Sequence, residues 1–510
     1  MELMPNHSYL GEFELTISPG FVKWTKPAVL VMAYAFLASM LDGQSSLSVK
    51  QRMGSVEDSL ARYVVLSGSS QDRLRLASQM AALHVPAVSL AAIHDGRIDW
   101  AQAYGVSSLG GAPATTKTLF GAASISKPVA AMGVLKLVEE HRIDLDADVN
   151  RYLKRWKIPD SQFTAEKKVT VRELLNHTSG IGTHNGDIYD PSQPLPTLLQ
   201  MLDGEKPARN APVRVEAVPG SGFAYSNGGY LVLYLLVEDV TGETFAKYMK
   251  RSVLDPIGMR DSTFDAPLTP TFAVRAATPY WEDGKTPTPP AKFVAPNLAA
   301  GGLWTTATDL AKFLIEVQRE YAGTSHKVIS QSTMRLMLTP GLGPAPKRRW
   351  GLGFEVGGEP GNLYVRHEGS GLFEDDMVAY LHGNGIVVMT SGGDGGPLTE
   401  EILRSAGSVY GFPDFKPVEH STVTVSPEVL TRYVGTYEYV KVAMNGDALT
   451  AEIPVGSTPQ RLYPESQTHY FVLDGPQELE FDVDAQQVVT GVEFITPMGR
   501  HALGKSKQPE

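Results

Sequence analysis

The sequence predicts an α/β chain of the α+β kind: an antiparallel sheet flanked by helices, an all-helical lobe, and a small all-β domain at the C-terminal end. Three observations carry this. Hairpin signals stand at both ends of a long first region. A mostly helical stretch lies between them. Beyond Pro413-Asp-Phe-Lys-Pro417 the texture changes to short alternating runs. Strands drawn from both ends of one region, with helices between, pack as a sheet covered by helices.

The elements follow in order. Ala28 to Leu41 is an uncharged apolar run behind Lys23 and Lys26, the layout of a secretory signal. It is short for a bilayer span, which takes about 20 residues. Residues 1–45 are therefore expected to be a signal or anchor segment, and the chain periplasmic or secreted. The alternative is a buried or interfacial helix on a cytoplasmic chain. Membrane contact is expected only through this segment, if it stays uncleaved. Residues 46–70 are polar and Ser-rich, which predicts a linker.

Residues 71–412 are expected to form the main domain. Leu74, Leu76, Met80 and Leu83 have helical spacing. Val88, Leu90 and Ala92 share a strand face, His94-Asp95-Gly96 turns the chain, and Ile98 and Trp100 alternate with Arg97 and Asp99. Asp-Gly between alternating runs is a strong hairpin signal. Ser226 to Met249 holds apolar stretches of helix length. Thr306 to Asp309 is a capping pattern before Leu310, Phe313 and Leu314. Met377 to Leu381 and Ile386 to Thr390 form a second hairpin, and Glu400 to Val409 a helix. In residues 418–510, alternating runs at 433–439, 448–453, 470–473, 479–483 and 488–495 predict a small β-barrel or sandwich.

Composition bounds the function. The 510 residues allow two to four domains. Hydrophobic content of 42% and charged content of 20% are globular. With no cysteine there is no disulfide, thiolate metal site or cysteine nucleophile. Net charge is −11 and no segment is strongly basic, so a nucleic-acid partner is not expected. There is no H-E-x-x-H, and the twelve histidines lack paired ligand spacing, so neither metal nor cofactor is expected. G-x-S-x-G is absent as well, which removes the α/β-hydrolase nucleophile elbow.

Three short segments carry chemistry. In Phe120-Gly-Ala-Ala-Ser124-Ile-Ser126-Lys127-Pro128, serine and lysine three apart share a helix face. Pro128 suits a first helical turn, where N–H groups are unpaired anyway. Ser124 then sits at the positive end of the helix, and a desolvated Lys127 could take its proton. Such a match alone is expected roughly once in a chain this long. Its company makes it specific. Tyr225-Ser226-Asn227 lies in a turn-rich loop before an apolar helix, with a phenol that relays protons and an amide that donates to a carbonyl. His367-Glu368-Gly369-Ser370 precedes a strand, where Gly369 permits close approach and the N–H of Ser370 can join that of Ser124 as an oxyanion hole.

In this order the segments resemble the three motifs of the serine β-lactamase and penicillin-binding protein superfamily. Leu137 to Asp146, Val171 to Gly180 and Ala300 to Trp304 look like segments of its class C branch, and the likeness runs from about Ser70 to Gly411. The resemblance implies an acyl-enzyme on Ser124, proton transfer shared by Lys127 and Tyr225, and substrate contacts from Asn227, His367, Gly369 and Ser370. His367 stands where class C β-lactamases carry lysine, and H-x-G is the form of D-aminopeptidases and many esterases of the branch. The expected activity is therefore a peptidase or amidase on small linear peptides, D- or unusual residues included. The alternatives are a carboxylesterase on short acyl esters, a weak β-lactamase or DD-peptidase, and, outside enzymes, a penicillin-binding-type sensor. A non-catalytic relative would be expected to lose Ser124 or Lys127.

The family often has Pro-Gly-Phe after the third motif, where this chain has Leu372-Phe373-Glu374-Asp375-Asp376. These carboxylates read either as a solvated turn or as a holder for a cationic amine. The C-terminal barrel resembles the lipocalin-like appendages of some peptidases of the branch. It is expected either to narrow the cleft with its loops or to serve packing alone. The partner implied is a small-molecule or peptide substrate; the oligomeric state is open.

Overall fold

The computed structural model describes residues 47–68, 74–182, 188–281, 283–287, 293–345, 348–392, 394–497 and 499–506. The expected export segment lies outside them. Arg52–Glu510 is one compact unit. Among the described residues no helix is long and apolar enough to cross a membrane.

Helix α1 (Val49–Glu57) and strand β1 (Val64–Leu66) come first. Strands β2 (Ala87–His94) and β3 (Arg97–Gly105) form the expected hairpin. Asp95 and Gly96 turn it with φ of 51° and 67°, the left-handed pair that matches strand twist. Short β4 (Phe120–Gly121) leads into helix α2 (Ser126–Glu139), and helix α3 (Asn227–Thr241) follows. Strand β5 (Trp304–Thr305) pairs with β4 and precedes helix α4 (Ala307–Ala322). Thr306 caps α4 as its sequence predicts, accepting from the Asp309 N–H. The Asp309 carboxylate turns instead to the Asp261 N–H and the Ser262 hydroxyl, so only half of a capping box forms. Then come β6 (Arg349–Trp350), β7 (Glu355–Gly357), β8 (Tyr364–Gly369), β9 (Glu374–Tyr380), β10 (Gly385–Thr390), helix α5 (Gly395–Tyr410) and β11 (Val418–His420).

Seven strands make one antiparallel sheet in the order β3-β2-β10-β9-β8-β7-β6. Its two hairpins come from the two ends of the domain, and β2 meets β10 at the centre. Both are apolar along almost their whole length, as strands covered on both faces must be. Alternate side chains divide between two cores. Ala87, Ala91, Ile93, Met377, Val387 and Met389 pack in a large core with α2, α3 and α4. Val88, Leu90, Ala92, Val378, Ile386 and Val388 pack in a second core with α5. The period of two places each set on its own face.

Strand β9 starts earlier than its sequence suggests. Glu374, Asp375 and Asp376 pair with Thr390, Met389 and Val388 of β10, although carboxylates are poor strand formers. Of the linker expected at 46–70, the described residues 47–68 hold packed structure instead. Val56 and Leu60 are buried in the second core. Strand β1 pairs in parallel with β11, and the Val64 N–H donates to the Leu473 carbonyl at 2.9 Å. A few apolar residues in a serine-rich window suffice when an existing surface receives them.

The C-terminal region is all-β with a short helix (Pro427–Tyr433) at its entry. Nine strands between Gly435 and Gly504 form antiparallel sheets of four and five around one core. The first and last strands meet where Tyr437 bridges Lys505 and the Ser506 N–H donates to the Thr436 carbonyl. Tyr433 belongs to the entry helix rather than to a strand. The strands Val440–Asn445 and Gly499–Gly504 were not anticipated. The second of these is exposed almost throughout, so it carries little apolar signal.

Strand β8 is locked from behind. Arg366 is nearly buried and pairs with Asp376 of β9 at 2.5 Å, with Glu368 at 3.0 Å and with Glu400 of α5. These three carboxylates converge on the guanidinium, whose planar fork satisfies several acceptors at once. Removing it strands Asp376, which is 1% exposed. Arg366→Ala is expected to cost about 3–5 kcal/mol, the range for breaking a buried pair. A urea titration checks this: the midpoint falls while the slope stays unchanged.

Candidate active site

The site is built on the turn before α2. Residues Ala123–Ile125 form one 3-10 turn that runs directly into the helix. Ala123 has φ of 41°, a left-handed conformation that an alanine adopts only when its surroundings hold it there. The segment 300–304 supplies the hold. Leu303 accepts from the Ala122 N–H at 2.8 Å and donates its own N–H to the Ser126 hydroxyl at 3.0 Å. Strand β8 closes the other side. A Cβ on Gly369 would come within 2.5 Å of the Ala122 carbonyl oxygen, so only glycine fits there. Its role is thus to seat the strand against the Ser124 turn.

Lys127 points back along the helix to Ser124. Its Nζ lies 2.9 Å from the Ser124 Oγ and 3.1 Å from the Ala300 carbonyl oxygen. Its side chain is fully buried, beside the rings of Tyr225 and Tyr230 at 4.7 and 5.6 Å. Burial drives its pKa well below the ordinary lysine value. A hydroxyl and a carbonyl do not offset that loss of hydration as a carboxylate would.

The Ser124 hydroxyl lies near enough to the Tyr225 phenol to draw its pKa down. Burial nevertheless pushes the Tyr225 phenol up, so it holds its proton. His177, to which no sequence motif gave a role, brackets this tyrosine. Its carbonyl accepts from the Ala224 N–H at 2.8 Å, and its Nδ1 accepts from the Ser226 N–H at 3.1 Å. The imidazole ring lies 4.2 Å from the Tyr225 ring. Because Nδ1 accepts, the proton is on Nε2 and the ring is neutral, as its strongly lowered pKa requires. Ser226 caps α3 by accepting from the Gly229 N–H, which starts the helix at Asn227.

His367 is neutral too. It is 3% exposed, and burial, with Lys127 and Arg366 nearby, lowers its pKa to about 3. Its Nδ1 lies 2.7 Å from the Glu368 carbonyl oxygen and so carries the hydrogen, leaving Nε2 as an acceptor.

Two cavities flank Ser124, and Ser124 and Ser370 line both. One, of about 170 Å³, has no charged residue in its wall, where Phe293, Trp304, Leu372 and Phe373 stand beside Asn227 and Asn297. The other, of about 290 Å³, is mixed: Phe223, Tyr225 and Trp350 with Arg348, Glu355, Glu368 and His367. Ser124, Lys127, Tyr225, Asn227, His367, Gly369 and Ser370 are thus gathered from three separate segments into one place. Neither described wall includes a residue of the C-terminal β region.

Neither reading of the three carboxylates fits. Glu374 accepts from the Ser370 hydroxyl and the Gly371 N–H. Asp375 is buried and accepts from the Thr390 N–H, and Asp376 holds Arg366. Sequence reasoning also assigned nothing to Trp350, although its apolar run into Gly351-Leu-Gly353-Phe354 marks a buried turn.

A beta-lactamase family profile matches residues 74–407, and the chain belongs to that family. It is a serine hydrolase of the beta-lactamase fold. Among curated relatives, Penicillin-binding protein 4* of Bacillus subtilis is 24% identical over 396 residues, covering 72% of this chain and 84% of the relative. Esterase EstB of Burkholderia gladioli is 36% identical over 204 residues, covering 37% of this chain and half of the esterase. Two solved structures share the fold. The octameric penicillin-binding protein homologue of Pyrococcus abyssi has a TM-score of 0.56 at 23% identity, covering 84% of this chain and 98% of its own. The D-amino acid amidase of Ochrobactrum anthropi SV3 has a TM-score of 0.53 at 21% identity, covering 66% and 96%.

The lysine's burial has a measurable sign. Its pKa is lower in the folded chain than in the unfolded one, so between the two values the unfolded chain binds the extra proton. Stability from this group is then complete above the unfolded value of 10.5 and is lost as pH falls towards the folded value. Lys127→Met is therefore expected to be more stable than the parent at pH 7. The gain should shrink as pH approaches 10, read from denaturation midpoints across that range.

Proposed function

We propose that the chain hydrolyses amide bonds of small peptides or amino-acid amides through an acyl-enzyme on Ser124. One observation carries the assignment of roles: a fully buried Lys127 amine 2.9 Å from the Ser124 oxygen, with its pKa driven far down. A neutral amine there can take the serine proton at ordinary pH. Tyr225 is the poorer base, because burial raises its pKa. It serves instead as a proton donor.

In the first half-reaction Ser124 Oγ bonds to the substrate carbonyl carbon while its proton passes to Lys127. The carbonyl oxygen becomes an oxyanion facing the backbone N–H groups of Ser124 and Ser370. The bond to the leaving group then breaks, and that group takes a proton by way of Tyr225. Water repeats the sequence on the acyl-enzyme and releases the acid. Asn227 orients the acyl portion. Tyr225 lines the mixed cavity, so the leaving group belongs there and the acyl group in the uncharged one.

The character of the mixed cavity favours an amide. Its ion-paired arginines and glutamates suit a polar, peptide-like leaving group better than a small alkoxide. A neutral His367 also makes a weak counter-ion for the carboxylate of a penicillin-type substrate. The fold shared with the D-amino acid amidase of Ochrobactrum anthropi SV3 is in keeping with this reading. A carboxylesterase is the second reading, favoured by the 36% identity to Esterase EstB. We also propose export, on the basic lead and apolar run at 23–41.

Two measurements test this. Ser124→Ala is expected to abolish turnover, and Lys127→Ala and Tyr225→Phe to lower kcat by about 10²–10⁴-fold. With p-nitrophenyl acetate, mass spectrometry should place an acetyl group on Ser124; full activity in Ser124→Ala overturns the mechanism. L- and D-amino-acid anilides, p-nitrophenyl acetate and nitrocefin assayed together decide the bond. Cleavage of the ester alone rejects the amidase reading.

A further inference from the structure

The loop between β8 and β9 carries Ser370, whose backbone N–H is assigned above to the oxyanion. Nothing in the three motifs explains what holds this loop. Ser370 and Gly371 are exposed, Gly371 has φ of 151° in the region that favours glycine, and a Cβ built on it would meet no atom within 4 Å. One side chain ties it down. The Glu374 Oε1 accepts from the Ser370 hydroxyl at 2.9 Å and from the Gly371 N–H at 3.1 Å.

Glu374 is itself firmly seated. It is the first residue of β9, paired with Thr390 of β10, and its carbonyl accepts from the Thr390 hydroxyl at 2.7 Å. Its Cβ lies where a side chain on Gly395 would come within 2.8 Å, so the start of α5 leaves room for it only because that residue is glycine. Its second oxygen, Oε2, lies about one van der Waals contact from the place a Cβ on Gly396 would occupy, at 3.9 Å. A carboxylate at the first turn of a 16-residue helix is favoured by the helix dipole. The loop is thus fastened through one carboxylate to the central sheet.

We propose that Glu374 is a positioning residue for the oxyanion hole: by holding Ser370 and Gly371 it fixes the direction of the Ser370 N–H. The inference rests on the serine-hydrolase reading of Ser124 and Ser370. Oxyanion donors act only when aimed in advance at the place where charge develops. A loop free to shift by about 1 Å loses much of that effect. The carboxylate touches neither cavity wall as described, so its influence reaches the reacting atoms through the loop.

The test compares Glu374→Ala and Glu374→Gln with the parent chain, using p-nitrophenyl acetate and phenylboronic acid. Glutamine keeps an oxygen that can accept both bonds; alanine keeps none. The expected result for Glu374→Ala is a fall in kcat of about ten- to a hundredfold with KM little changed, by analogy with losses seen when oxyanion donors are disturbed. Phenylboronic acid, whose tetrahedral adduct on Ser124 mimics the oxyanion, should bind more weakly by the same factor, and Glu374→Gln should recover most of both. A merely structural glutamate would lower the melting temperature and leave boronate affinity intact. If kcat and boronate affinity in Glu374→Ala stay within twofold of the parent, the inference is wrong. If that variant does not fold, Ser370→Ala decides, since it removes one of the two bonds: a smaller loss of the same sign supports the inference, and unchanged boronate affinity overturns it. Should the boronate fail to attach to Ser124 in the parent chain, the underlying assignment of Ser124 falls, and the inference falls with it.

Discussion

The structure turns on keeping one amine dry. Lys127 is a long cationic side chain by default, and its stem and head are wholly inside the protein. Such burial is unfavourable for the charged form, so the cost has to be met by packing elsewhere. Helix α2 meets it by being buried on almost every side, with Val129 to Leu135 all in the large core. Tyr225 and Tyr230 wall the amine, and the carbonyl of Ala300 takes one of its hydrogens. What makes the lysine costly for the fold also leaves it neutral, with a free lone pair beside the serine.

A second constraint follows from the first. The Ser124 turn must be reached by substrate while the residue three positions on must not be reached by water. The fold separates these needs at Ser124 itself. Cavities open on both sides of the serine, and the segment 300–304 and strand β8 close beneath it. The close approach of Gly369 to the Ala122 carbonyl leaves no space for a side chain between them. Behind β8, Arg366 and its three carboxylates fasten the strand to β9 and α5, so the wall of the site is stiff. The C-terminal β region joins through β1, β11 and the Val64–Leu473 bond rather than through the cavity walls.

Much of this was legible in the chain. The two hairpins, helices α3, α4 and α5 and the change to β texture after Pro417 follow from local periodicity and turn chemistry, which are properties of neighbours in sequence. The misreadings have a common source. Glu374, Asp375 and Asp376 look like a loop because charges are poor strand formers, yet two of them are buried and partners on the neighbouring strands and the preceding loop engage all three: Thr390 for Asp375, Arg366 for Asp376, and the Ser370 loop for Glu374. Residues 46–70 look like a linker because their few apolar groups find a core built elsewhere.

The sequence by itself determined which residues could do the chemistry. Without cysteine, and with Ser124, Lys127, Tyr225, Asn227 and His367 in three motifs, it pointed to a serine hydrolase and to candidates for its working parts. Ser124 and Lys127 at their spacing do not suffice for that; the order of all three motifs, and its resemblance to a known family, does. Only the tertiary structure decided their protonation and their support. The low pKa of Lys127, the proton held by Tyr225, the neutral rings of His177 and His367 and the grip of Glu374 on the oxyanion loop depend on burial and on partners brought together by folding. Desolvation is a property of everything that surrounds a group, and no stretch of sequence contains its own surroundings.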